Sequence, residues 1–281
     1  MSDEYVHTHA ISVDLAQRRI VAAREELRDI IADVKSDGRL TDQDIRDIRQ
    51  CASDLAGYCS VVAHNDEELV RAVHISSQAA VFEFRACTSG HEISAVQFEG
   101  QEVELRASVT SYVTATPAWL QAMSISGAAN IEPAMVELLS YPQELLRRAD
   151  LDLSLDVEYY ASYRNALGAI YLGGSDNSGP TESILEALRR LNPEDDWQLL
   201  VDGPSLDVLW DACVVVDEGS FNAHLVRALE LHREYWDRDD ESRRDPTGFI
   251  AWRLLPILHL AQARGIGVKV ESPYLPAALR S

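Results

Sequence analysis

Residues 13–34 read VDLAQRRIVAAREELRDIIADV, with apolar groups at Ala16, Ile20, Ala23, Leu27, Ile31 and Val34. Spacings of three and four put all six on one stripe of an α-helix. The pattern predicts an amphipathic helix over 13–34 with its polar side in water. Gly38 lies in the polar break that follows. Thr41 then stands as an N-cap, with Asp42 and Asp44 in the first turn, where carboxylates complement unpaired N–H groups. A second stripe runs Ile45, Ile48, Ala52, Leu55, Cys59 and Val62. Asn65 caps a third helix, with Glu68 at the capping-box position. Its stripe is Leu69, Val73, Ala80, Phe84 and Cys87. Breaks this short favour antiparallel neighbours.

Working outward, the pattern changes once. Ile93, Val96, Phe98, Val103, Leu105 and Val109 sit in short β-favouring runs broken by Gly100-Gln101, which predicts one β-hairpin over 93–109. A lone hairpin is marginal in water, so it must pack on the helices. Beyond Pro117 the helical spacing returns, over 117–126, 132–140, 154–172, 181–191, 205–215, 220–237 and 246–264. Gly173 to Pro180 reads as a loop, and Asp237 to Asp245 as a charged connector. Asp245-Pro246 is a good helix start and Gly265 a good stop. Val268 to Glu271 reads as a short terminal strand. No period of 30 to 45 residues recurs, so the common helical repeats are not supported. The expected class is mostly α: a multi-helix bundle or irregular helical array with one small β-hairpin near residues 93–109. We expect a single helical domain over 1–281; any subdivision would separate 1–115 from 116–281.

Composition bounds the function. The chain has 281 residues, 46 Asp and Glu against 25 Lys and Arg, and a formal net charge of −21. Non-specific nucleic-acid binding is disfavoured because phosphate neutralisation needs cations. An anionic membrane surface is disfavoured for the same reason, whereas a basic protein partner fits. The four cysteines, Cys51, Cys59, Cys87 and Cys213, form no C-x-x-C pair and read as reduced thiols in a cytosol. The acidic N-terminus carries no basic region followed by an apolar one, so no signal peptide is expected. No apolar run reaches the roughly 18 residues of a membrane span. Together these favour a cytoplasmic protein. Only Lys35 and Lys269 are lysine, an arginine bias that suggests a GC-rich bacterial genome.

Chemistry-bearing patterns are weak. His7 and His9 alternate as a strand metal pair would, but spacing identifies no companion ligands. His232 lies on the apolar stripe Leu225, Leu229, His232, Trp236 and reads as a core histidine. His224 and Glu230 are six apart and share no face. The glycine-rich stretch from Gly173 to Gly179 lacks the Lys-Ser of a phosphate loop, with Pro180-Thr181 in its place. Around Ser220 the second glycine of a nucleophile elbow is missing. No catalytic, cofactor-binding or metal-binding residues are therefore expected, and no cofactor. Two acidic-aromatic segments remain: Glu194, Asp195, Asp196 and Trp197, and Trp236, Asp237, Asp239, Asp240 and Glu241. As a docking face, their carboxylates would steer a basic partner, and a tyrosine such as Tyr235 or whichever tryptophan is exposed would anchor it.

The C-terminal stretch resembles a known family. Ala228 to Trp236 reads ALELHREYW, followed by Asp245-Pro246-Thr247-Gly248-Phe249, the apolar Leu254 to Ala263, then Arg264-Gly265-Ile266. Val270-Glu271-Ser272-Pro273-Tyr274-Leu275-Pro276 completes the series. It is similar to the end of the immunity protein 49 family of bacterial polymorphic toxin systems, where a helix ending in H-x-x-Y-W precedes an apolar helix, a glycine turn and a V-E-S-x-Y-L-P tail. The resemblance covers about the last 60 residues. It implies a mostly helical cytosolic protein that neutralises a toxin domain by binding it, with no enzyme activity and no cofactor, and it supplies no binding residues. The expected mechanism is steric and electrostatic occlusion of the toxin. The rivals are a helical enzyme with a metal or nucleotide site, and a helical scaffold or regulator without a toxin partner.

Overall fold

A computed structural model describes residues 4–9, 11–62, 64–88, 94–108, 114–172 and 178–280. Its elements run β1 (Glu4–Tyr5), α1 (Val13–Asp37), β2 (Arg39–Leu40), α2 (Asp42–Val61), α3 (Asp66–Thr88), β3 (Ser94–Phe98) and β4 (Gln101–Leu105). There follow α4 (Thr116–Ala128), α5 (Glu132–Leu139), α6 (Gln143–Asp152), α7 (Val157–Tyr171), α8 (Ser178–Arg189) and α9 (Gly203–Trp210). The chain ends with α10 (Glu218–Trp236), α11 (Leu255–Ala263) and β5 (Val270–Glu271). The fold is mostly α, as the stripes predict. Contacts divide it into two compact units, one of Ser12–Leu155 and one of Met1–Ile11 with Asp156–Ser281. Residues 116–155 thus group with the N-terminal helices.

In the Ser12–Leu155 unit, α1, α2 and α3 pack in succession. All six stripe residues of α1 are buried. Ser12 caps α1 by accepting from Leu15 N, and Gly38, at φ +68°, ends it with its N–H on Val34 O. A left-handed residue there is what favours glycine. Thr41 and Asp44 form a reciprocal capping box on α2, and Glu99-Gly100 turns β3 into β4 with both φ positive, the geometry that suits a two-residue hairpin. Val96, Phe98, Val103 and Leu105 point into the core. The hairpin gains a third strand, β2, which pairs parallel with β4. Ile93 and Val109 lie outside the described residues.

Polar groups fix the later helices of this unit. The fully buried Trp119 donates its indole N–H to Leu138 O at 2.7 Å. Asp150, 2% exposed, accepts Thr116 N at 2.7 Å and Thr116 Oγ1 at 2.6 Å. It thereby serves the first turn of α4 from α6. The sequence reading missed α6 because its buried face is only Leu146, Ala149 and Asp150; one of three inward positions is a carboxylate, so the apolar period fails.

In the other unit, β1 pairs parallel with β5. The helix expected over 205–215 is longer and irregular: α9 continues from one π turn (Gln198–Asp202) and into another (Asp211–Val215). Gly203-Pro204 looks like a break, but Gly203 N bonds Gln198 O five residues back, and proline without an N–H is tolerated where the ladder shifts. The helix expected over 246–264 is corrected. Pro246–Phe249 forms one 3₁₀ turn, Ile250 is extended, and α11 begins only at Leu255. Ala251 N–H is drawn to Tyr274 O at 2.9 Å, and Pro256 restarts the helix near its first position. Of the loop expected from Gly173 to Pro180, residues 173–177 lie outside the described residues and 178–180 belong to α8.

Asp150→Ala leaves a buried N–H and hydroxyl without their charged acceptor. The expected cost is about 3 kcal/mol, from hydrogen bonds to charged groups of roughly 1.5–3 kcal/mol each. Arg28→Ala, which removes an ion pair whose two side chains are both 70% exposed, is expected to cost less than about 0.5 kcal/mol. Urea unfolding of both variants checks the contrast; equal costs would contradict it.

Candidate partner-binding face

The two acidic-aromatic segments come together in the unit built on α10. Trp197 lies 5.2 Å from Tyr235 and 6.1 Å from Trp236, and Tyr235 lies 5.2 Å from Trp236, ring centre to ring centre. All three contacts are edge-on, the arrangement that the ring quadrupoles favour. Arg238 covers Tyr235 from outside, its guanidinium carbon 4.0 Å from the ring centre. Beneath Trp197 runs the buried pair Arg253–Asp202, at 3.0 Å. Tyr159 donates its hydroxyl to the same carboxylate, at 3.4 Å. Burial pushes the Asp202 carboxyl up, against the pull of Arg253.

The two tryptophans differ in burial. Trp236 is 7% exposed and belongs to the core, so an anchoring role for it is withdrawn. Trp197 is half-buried. The stripe shared with Leu225, Leu229 and His232 already points Trp236 inward, whereas no stripe places Trp197. The carboxylates also divide. Asp195 Oδ1 accepts Trp197 N and Gln198 N and starts the following turn. Asp239 accepts Glu241 N, Ser242 N and Ser242 Oγ, and these bonds, led by Ser242 N–H, hold it below the usual carboxylate range. Arg243 bridges Asp237 at 2.6 Å and Asp240 at 2.7 Å. Among the described residues, Glu194, Asp196 and Glu241 are exposed and join no ion pair. The connector is thus partly a self-neutralised loop, with three outward carboxylates around one aromatic cluster.

Below this face the H-x-x-Y-W, D-P-T-G-F and tail residues form one aromatic core. His232 Nε2 lies 3.0 Å from Gly248 O, and its ring packs 4.8 Å from Tyr274. A Cβ at Gly248 would overlap the Trp236 indole. His9 places Nδ1 2.7 Å from the Tyr274 hydroxyl, which also accepts His9 N–H at 2.9 Å, and its ring lies 5.0 Å from Phe249. Burial lowers both His9 and His232 to about 4. Asp237 and Asp245 favour the charged form of His9 and Arg243 opposes it; His9 in turn opposes charge on His232. His9 is therefore a neutral core residue, and His7 beside it packs on Tyr5 at 4.6 Å.

Among the described residues, no three His, Cys, Asp or Glu gather as a metal site. His224 Nδ1 and Ser220 Oγ both converge on Asp211 Oδ2, at 2.5 and 2.8 Å; the serine is held by the carboxylate and not by a histidine base, as a triad would need. Burial pushes Cys51 and Cys59 up to about 12, and Cys87 and Cys213 to about 11, so these thiols are poor nucleophiles. The Arg253–Asp202 pair escaped the sequence reading. The only signal was a lone arginine inside an apolar run, and its partner lies 51 residues away.

Comparison with known proteins gives one match. A family model described as immunity protein 49 matches residues 42–279. No curated protein and no solved structure matches the chain.

Gly248→Ala is expected to destabilise the protein by about 1–3 kcal/mol, the usual cost of overpacking; an unchanged urea midpoint would contradict the packing. The histidines give a pH signature. Above the ordinary value of 6.5 both states are neutral there. Between 6.5 and about 4 the unfolded chain takes up protons that the native state refuses, so stability falls as pH falls. Each histidine contributes roughly 3 kcal/mol to that loss. The difference in pH slope between wild type and His9→Gln or His232→Gln isolates it, and parallel slopes would contradict the buried neutral state.

Proposed function

Because the chain belongs to the immunity protein 49 family, we propose that it neutralises a bacterial toxin domain in the cytoplasm by binding it stoichiometrically, without turnover and without a cofactor. The family match over residues 42–279 carries this reading. No helix among the described residues is long and apolar enough to cross a membrane, which is compatible with it.

The face of Trp197 and Tyr235 docks the toxin. A net charge of −21 steers a basic domain toward the protein, because summed fields raise encounter rates by roughly 10–10³ at low salt. Glu194, Asp196 and Glu241 are the local part of that field. The half-buried Trp197 supplies the anchor, above Arg253 and Asp202. Occlusion of the toxin's active site follows from docking a folded domain over a basic cleft. The loop acids Asp237, Asp239 and Asp240 shape this face through Arg243 and Ser242, and Trp236 supports it from below.

Co-expression with the toxin domain encoded by the neighbouring gene tests the function: growth is restored if the reading holds and arrested if it fails. The face is tested by the triple variant Glu194→Gln, Asp196→Asn, Glu241→Gln, which touches no buried group. Its association rate is expected to fall about tenfold at low salt and converge on wild type at high salt. A variant indistinguishable from wild type across the salt series would move the interface elsewhere.

A further inference from the structure

In the Ser12–Leu155 unit the sheet order is β2-β4-β3, which leaves β3 at an edge. Glu104 N donates to Gly38 O at 2.9 Å and Arg106 N to Leu40 O at 3.4 Å. Those groups face β2, so the alternation of an antiparallel ladder turns Val103 and Leu105 toward β3. Their register partners are Val96 and Ser94. By the same alternation, the main-chain groups of Ala95 and Gln97 point away from the sheet. The Gln97 carbonyl accepts the Gln78 side-chain amide at 2.7 Å, a donor placed where a neighbouring strand's N–H would be. Among the described residues nothing pairs Ala95 N–H, Ala95 C=O or Gln97 N–H.

Proteins commonly blunt such an edge with charge or proline, yet β3 reads SAVQF and carries neither. Gln97 of this edge lines a cleft of about 520 Å³, together with His74, Ser77 and Gln78 of α3. Val81 and Phe82 of α3 line it below, and Ile131, Pro133 and Ala134 at the start of α5 line it opposite. Its two carboxylates are already matched. Arg85 clamps Glu137 through two bonds of 2.6 and 2.5 Å, and Arg71 holds Glu99 at 2.9 Å. A charged side chain entering the cleft would lose water and find no free counter-charge. Alternating apolar side chains would meet the apolar lining while their main chain meets the open edge.

The geometry points to β3 as a strand-addition site for an extended, uncharged, apolar segment of the protein partner. Main-chain bonds supply affinity in this mode and the cleft selects alternate side chains. The inference rests on the proposed function, which supplies the partner as the toxin.

The test uses the full chain bound to the toxin domain encoded by the neighbouring gene. Exchange of the Ala95 and Gln97 amides is expected to slow at least about tenfold on binding. Gln97→Pro removes one outward N–H at a position where an edge tolerates proline and is expected to raise Kd about tenfold. Gln97→Thr keeps that N–H and is expected to leave Kd within about twofold. If the complex forms while both amides exchange as in the free protein, strand addition is overturned and neutralisation stands. If Gln97→Pro does not fold, the wild-type exchange decides alone. If no complex forms, the proposed function fails and this inference falls with it.

Discussion

The approach of Trp236 to Gly248 organises the C-terminal half of the α10 unit. The indole lies where any Cβ at position 248 would have to be, and His232, one turn earlier on α10, reaches Gly248 O. Together they fix the 3₁₀ turn against the helix. That turn places Phe249 beside His9 and sends Ile250 and Ala251 out to the tail at Tyr274. The tail ring closes the cluster between both histidines. Two neutral imidazoles are the consequence, since burial there disfavours the charged form more than nearby carboxylates favour it.

This core decides what its surface can do. Trp236 is consumed as structure, so the proposed recognition rests on the rings above it, Trp197 and Tyr235. The buried Arg253–Asp202 pair orients Trp197 from below. Such a pair gives little net stability, but it keeps the indole in place before any partner arrives. A pre-ordered aromatic edge loses less entropy on binding than a mobile one. The surrounding acids are not equivalent: several build the loop through Arg243 and Ser242, and only the outward ones act at long range.

Much of the helical part was legible in the sequence because it rests on local rules. The α1 stripe, the Thr41 cap and the hairpin each depend on residues within a few positions of one another. His232 could be placed in the core because it shares a stripe with Leu225, Leu229 and Trp236. What escaped depends on distant partners. α6 hides its inward carboxylate until Thr116 is brought to Asp150. The break at residues 250–254 exists because the tail at Tyr274 captures Ala251. Trp236 shares the stripe of His232, but nothing local said that a glycine 12 residues on would receive its indole. The open edge of β3 was unreadable too, since a hairpin does not say which of its strands a third will join.

We propose that this chain silences a toxin by one-to-one occupation rather than by chemistry. Titrating purified toxin domain with the protein, while reading the toxin's own activity, tests it most directly. Activity is expected to fall in proportion to added protein, reach zero at one equivalent, and not drift with time. Progressive inactivation at a small fraction of an equivalent, or full activity at an excess, would contradict it.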